Sequence, residues 1–107
     1  MADSGIVMGY VVCSDEKEAR KIADALVKEK LAACVNVIQG VHSVFSWQGR
    51  VESADEVLLL CKTLKSKIPA VEKRIKSLHS YDVPCICFYP AVHVNAEYEK
   101  WLRDCLK

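Results

Sequence analysis

Two side chains of types that bind soft transition metals stand at the ends of separate predicted elements in this chain of 107 residues. Cys13 closes the first apolar run, just ahead of Asp15 and Glu16, and His79 opens a polar stretch that continues through Tyr81 and Asp82. Thiolate and neutral imidazole suit copper and other late transition metals. Copper(I) prefers thiolate, so Cys13 is the stronger candidate ligand and His79 the weaker. Only folding or assembly brings the two together. Binding needs a deprotonated thiol and a neutral ring, so affinity is expected to rise from about pH 5 to about pH 8. A competing soft-metal pair is Cys85-x-Cys87, which strand alternation places on one face. The six cysteines include no C-x-x-C pair and mostly lie in apolar runs. They read as reduced thiols packed as small hydrophobes, not as a disulfide framework. Lys62 continues the row of Leu58 and Leu60, read here as pointing inward, so its charge either snorkels to the rim or meets an anion in a cleft. A Cys–His pair also raises nucleophilic catalysis, with Asp82 orienting His79. No local oxyanion site or nucleophile elbow accompanies it, so no enzymatic activity is expected.

Composition narrows the class. Hydrophobic residues are 51% and charged residues 27% of the chain, too apolar for a disordered protein. Lys+Arg number 15 against Asp+Glu 14, which leaves no basic excess for a nucleic-acid backbone. The apolar runs are far shorter than the ~20 residues that span a bilayer. The stretch Met1–Gly5 carries no basic cluster and does not read as a secretory signal. A single soluble, cytoplasmic domain over residues 1–107 is expected.

The elements follow from periodicity. Ile6–Cys13 is nearly all apolar, as for a central strand buried on both faces. Ser14 and Asp15 offer N-caps, Asp15 with Glu18 approximates a capping box, and Ala19, Ile22, Ala23, Leu26 and Val27 repeat at helical spacing. Two extended arms, about 33–47 and 51–63, flank Trp47-Gln-Gly-Arg50 and predict a long hairpin, with Gly40 marking a bulge. Ile68, Val71, Ile75 and Leu78 predict a second helix with Pro69 in its first turn. Val83–Tyr89 is a further strand, and Asn95 caps a terminal helix carrying Tyr98, Trp101, Leu102 and Cys105. Trp47 and Trp101 are expected to be largely buried. The order is β-α-β-β-α-β plus a C-terminal helix, the α+β ferredoxin-like split βαβ plan with an antiparallel sheet. One sheet face has no helix of its own in that plan, except for whatever the last helix covers, so a symmetric oligomer is expected.

That plan hosts many functions. An RNA-recognition module needs aromatic rings on its central strands, and Val57-Leu-Leu-Leu-Cys61 has none. A copper chaperone of this fold needs two thiols after the first strand, where only Cys13 stands. An acylphosphatase needs an Arg-bearing phosphate loop there, which is absent. A regulatory trimer with ligands or metals in subunit clefts remains. Lys30-Leu-Ala-Ala-Cys-Val-Asn36, Ser43-x-Phe-x-Trp-x-Gly-x-Val-Glu52, Glu56-Val-x-Leu-x-x-Lys62-Thr63, His79-x-Tyr81-Asp-Val-Pro84 and Asn95-x-x-Tyr98-x-x-Trp101-Leu102 resemble the CutA family of divalent-cation tolerance proteins. The resemblance implies a thermally robust ferredoxin-like homotrimer active in metal tolerance and homeostasis, with copper or another divalent transition metal bound. It implies Cys13 and His79 as metal ligands, and Trp47, Glu52, Lys62, Tyr81 and Asp82 as lining of an inter-subunit cleft. Three positions depart from the pattern. Leu78 stands where some bacterial members have a second histidine. Ser80 replaces a proline, which is expected to loosen the loop. Cys85 replaces a glutamate and adds a thiol next to Cys87. The alternative function is that of a trimeric PII-like signalling protein, with Lys62 binding a small anionic ligand in the clefts.

Overall fold

The first strand sits inside the sheet, paired on both sides. In the computed structural model, which describes residues 4–107, β1 (Ile6–Cys13) lies between β3 (Arg50–Leu64) and β4 (Ile86–Pro90), with β2 (Cys34–Trp47) outside β3. All neighbours are antiparallel. The first three residues of Met1–Gly5 lie outside the described residues. Among the described residues no helix is long and apolar enough to cross a membrane.

Three helices complete the ferredoxin-like plan: α1 (Glu16–Lys28), α2 (Ile68–Leu78) and α3 (Ala96–Cys105). Asp15 starts α1 by accepting the Glu18 N–H at 2.8 Å, which satisfies one of the orphan donors of the first turn. Its end is a 6→1 turn, in which Leu31 N–H donates to the Leu26 carbonyl and Lys30 takes the left-handed conformation at φ 58°. The hairpin tip is Gln48-Gly49, both at positive φ. That is the backbone a two-residue turn needs to match the strand twist. The bulge falls between Ile38 and Val41, with Gly40 at φ +80°. The fourth strand begins at Ile86, three residues later than its apolar run, because the chain bends at Asp82 and Val83 and Pro84 has no N–H to give a ladder.

Helices α1 and α2 cover one face of the sheet. Ile22, Leu26, Val71 and Ile75 pack there against Val11, Cys13, Val57, Leu59 and Cys61, all buried. The opposite face carries Met8, Tyr10, Val12, Leu58, Leu60 and Lys62, which are only half-buried. The first strand is thus packed by helices on one side alone. The row Leu58–Leu60–Lys62 likewise points to the open face and not inward, because Leu59 and Cys61 take the helix side. Helix α3 closes one end of that face, where Leu102 and Leu106 pack with Ile6 and Ala33. Trp47 and Trp101 are 44% and 46% exposed in this chain, against the burial expected of them. Trp47 stands on the hairpin arm, and Trp101 lies alongside Tyr98, with ring centroids 5.4 Å apart.

Close approach at the sheet centre requires Gly9, which is buried. A Cβ there would press on Cys61 Sγ and come within 2.9 Å of Phe88 Cε1. Gly9→Ala is therefore expected to cost about 1–3 kcal/mol, the usual range for forcing a carbon into a packed core. Urea unfolding checks this, and an unchanged midpoint would show that Phe88 moves aside freely.

Candidate functional site

The end of β1, the start of α1 and the loop after α2 meet at one point. Each contributes one metal-capable side chain. The ligand atoms of Cys13, Glu18 and His79 all lie within 4.8 Å of one another. The fold thus joins the two residues the sequence singled out and adds Glu18, which the sequence marked only as a capping residue. Its signal was the position three residues after the N-cap. The carboxylate does reach back, one residue further than a capping box requires. Glu18 Oε2 accepts from Ser14 N–H and Ser14 Oγ, both at 2.9 Å, and Oε1 accepts from Ser80 N–H at 2.6 Å.

These bonds fix the electrostatics. Burial pushes the Cys13 thiol up to about 12, helped by the charges of Glu18, Asp15 and Glu56. Burial alone would also raise the Glu18 carboxyl, but the hydrogen bonds from Ser14 and Ser80 outweigh it and hold the group below 4.5. His79 Nε2 lies 2.7 Å from the Val12 carbonyl and Nδ1 accepts from Tyr81 N–H at 3.1 Å. That network assigns the proton to Nε2. The 4.0 Å approach of Nδ1 to Glu18 Oε1 is then no ion pair. Thiol, carboxylate and imidazole form a mixed donor set suited to a borderline divalent ion. To take one up, Cys13 must lose its proton and His79 Nδ1 must leave Tyr81 N–H.

Ser80 does not loosen this loop. Its N–H, which a proline would lack, ties the loop to Glu18, and its Oγ reaches Ser14 Oγ at 3.4 Å.

Tyr81 links the cluster to a cleft on the open side of the sheet. Its ring lies 4.9 Å from that of His79, and its hydroxyl donates to Glu56 Oε2 at 2.7 Å. Burial, then the hydrogen bond to Glu56, raises the phenol far above its usual value. The cleft is about 750 Å³ and is walled by Phe45 and Trp47 on the hairpin and by the loop from Ser80 to Cys85. Trp47, Glu52, Tyr81 and Asp82 line it together within the one chain. Lys62 is not brought to them. It lies ten residues along β3 from Glu52, roughly 30 Å of strand, with its ammonium 5.5 Å over the Tyr98 ring. Glu56, nearly buried, joins the lining unforeseen; a carboxylate opening the apolar run Val57–Cys61 was its only signal. The lining carries Glu52, Glu56 and Asp82 and no basic side chain among the described residues.

A ferredoxin-like sheet with a Cys–Glu–His cluster beside an acidic cleft defines the class, and the comparisons specify the family. A family model described as CutA1 divalent ion tolerance protein matches residues 7–105. The divalent-cation tolerance protein CutA of Thermus thermophilus is 46% identical over 88% of this chain and 91% of its own. The human protein CutA is 39% identical over 94% of this chain, which spans only 59% of the human sequence. The crystal structure of CutA from Xylella fastidiosa superimposes with a TM-score of 0.94 at 32% identity, covering 97% of this chain and all of that one. This chain belongs to the CutA1 divalent ion tolerance family.

Proposed function

We propose that this chain is a cytoplasmic, non-catalytic homotrimer that binds a divalent transition metal, copper foremost, and contributes to metal tolerance and homeostasis. The observation that carries the reading is the convergence of Cys13, Glu18 and His79 within 4.8 Å. The acidic cleft alongside supports it, since three carboxylates with no basic neighbour draw cations and repel anions. Assembly is supported by what the lone chain leaves uncovered. Val44, Phe45, Trp47 and Val51 stand exposed on the hairpin, Val51 at 82%, beside a half-open sheet face and two unpaired sheet edges. Monomeric proteins rarely present such a surface.

Light scattering is expected to give about three times the 12.0 kDa chain mass; a monodisperse monomer would overturn the assembly. Anaerobic equilibrium titration with cobaltous ion, a spectroscopic probe that leaves thiols reduced, is expected to show one divalent ion per chain at this cluster. Sulfur-to-metal charge transfer should vanish in Cys13→Ser. Affinity should fall by at least the 10–100-fold that loss of even a supporting group costs in His79→Ala. Binding should tighten as pH rises, because the Cys13 thiol must release its proton. Equal affinity in wild type and both variants would sink the site.

A further inference from the structure

The cluster at Cys13 is closed off from solvent. Cys13 and the His79 side chain are 0% exposed, and the Glu18 side chain 10%. Two consecutive backbone amides of the loop after α2 already occupy its ligand atoms. Ser80 N–H donates to Glu18 Oε1 at 2.6 Å, and Tyr81 N–H donates to His79 Nδ1 at 3.1 Å. Successive backbone N–H groups gather a partial positive charge that a carboxylate accepts much as it accepts a cation. We propose that residues 80–81 form a strap displaced by the metal: their amides hold Glu18 and His79 in the metal-free state, and a divalent ion is taken up only as both let go. The inference rests on the divalent reading of the Cys13 cluster and states how that site is regulated.

The count of lone pairs carries the argument. A neutral imidazole offers one acceptor nitrogen. Nε2 donates to the Val12 carbonyl at 2.7 Å, so Nδ1 is the nitrogen left for an ion, and Tyr81 N–H holds it. Glu18 Oε1 lies 4.0 Å from Nδ1, and a zinc-like ion needs both atoms at about 2.0–2.2 Å. Ion and amides therefore compete for the same space. The two amides are neighbours in the chain, so withdrawing one pulls on the other. The far end of the strap is anchored by the Tyr81 hydroxyl, which donates to Glu56 Oε2 at 2.7 Å in the wall of the acidic cleft. Lifting the strap strains that bond. By linkage, anything that frees Tyr81 from Glu56 favours metal uptake, and metal uptake favours the freed state of Tyr81. Ser80 is exposed beside the start of α1, so an ion reaching the cluster over the strap need not cross the open sheet face that assembly would cover.

Two substitutions separate the parts. Ser80→Pro deletes one amide donor. His79, at φ −83° and ψ 141°, already has the extended backbone that a following proline requires, so the variant fits without moving the ligand. Tyr81→Phe deletes the far anchor and keeps the ring against His79.

The test uses the full, assembled, reduced chain and zinc, a diamagnetic divalent probe without redox chemistry. In the metal-free chain the Ser80 and Tyr81 amide protons are expected downfield, as bonded protons are. At saturating zinc both should move upfield and exchange faster with solvent. Ser80→Pro and Tyr81→Phe are expected to bind zinc about 3–10-fold more tightly than wild type, the factor gained when one net hydrogen bond no longer has to be broken. Ser80→Ala keeps the amide and should keep the wild-type affinity. Amide protons that hold their metal-free shifts at saturating zinc overturn the proposal and leave the divalent site standing. Release of Tyr81 N–H alone also overturns it, since the His79 ring would then be turning beneath a fixed strap. So does unchanged or weaker zinc binding in either tightening variant. Zinc affinity unaltered by Cys13→Ser would instead overturn the divalent reading, and the strap's role with it.

Discussion

Leu59→Ala is expected to remove about 3–5 kcal/mol of stability, the upper part of the range for truncating a buried leucine. Leu59 is 0% exposed at the centre of β3. It pairs with Val11 on one side and Val37 on the other, and it faces the layer formed by Ile22, Leu26, Val71 and Ile75. Neither wall can collapse into the gap. The strands are held by ladders on both sides, and α1 and α2 are fixed by their own packing, so the cavity persists and its cost adds to the lost transfer energy. Urea unfolding at matched protein concentration should show a lower midpoint with an unchanged slope. Val92→Ala, at a site 76% exposed, should stay within about 0.5 kcal/mol. A loss below about 1 kcal/mol for Leu59 would mean that the helix layer relaxes, and the two-layer account of this core would be wrong.

Which parts of this molecule were legible beforehand follows from where the sequence is periodic. Helix α1 was plain because Ala19, Ile22, Ala23 and Leu26 recur on one side with charges opposite, and the hairpin because Gln48-Gly49 sits between two β-rich arms. Val57-Leu-Leu-Leu-Cys61 is apolar at every position, so alternation is silent about which leucines face the helices. The row with Lys62 was therefore assigned to the wrong side. Trp47 and Trp101 show a similar limit, since residue type tells that a ring prefers burial but not whether its own chain supplies the cover. At the site, Cys13 and His79 were visible as isolated chemistry at element ends. Glu18 was not, because a helix-capping position explained it completely until the fold brought Ser80 against it.

Glu18→Ala is expected to destabilise the protein by about 2–4 kcal/mol at neutral pH, since hydrogen bonds to a charged group are worth about 1.5–3 kcal/mol each and are not additive here. The side chain is only 10% exposed and ties together three segments: the end of β1 through Ser14, the first turn of α1, and the loop after α2 through Ser80. Removing it leaves the part-buried Ser14 N–H without its partner and frees the exposed Ser80 N–H, so the loop after α2 loses its tie to β1 and α1. Glu18→Gln keeps the volume but turns an amide N–H₂ toward one of these donors, so it should be destabilising too, by a smaller amount. The pH dependence isolates the charge. The folded carboxyl titrates below 4.5, so its contribution is fully present above the unfolded value and is lost as pH falls through the folded one. Wild type should therefore lose stability on acidification below about pH 4.5 more steeply than Glu18→Gln, and the gap between them should narrow as pH falls through the lowered value of the folded carboxyl. Ser80→Pro deletes one of the three donors while leaving the carboxylate, and should reproduce part of the loss with part of the pH dependence. Parallel stability-versus-pH curves for wild type and Glu18→Gln would show that the carboxylate acts by shape alone, and the charge-based account of how this loop is held beside His79 would have to be abandoned.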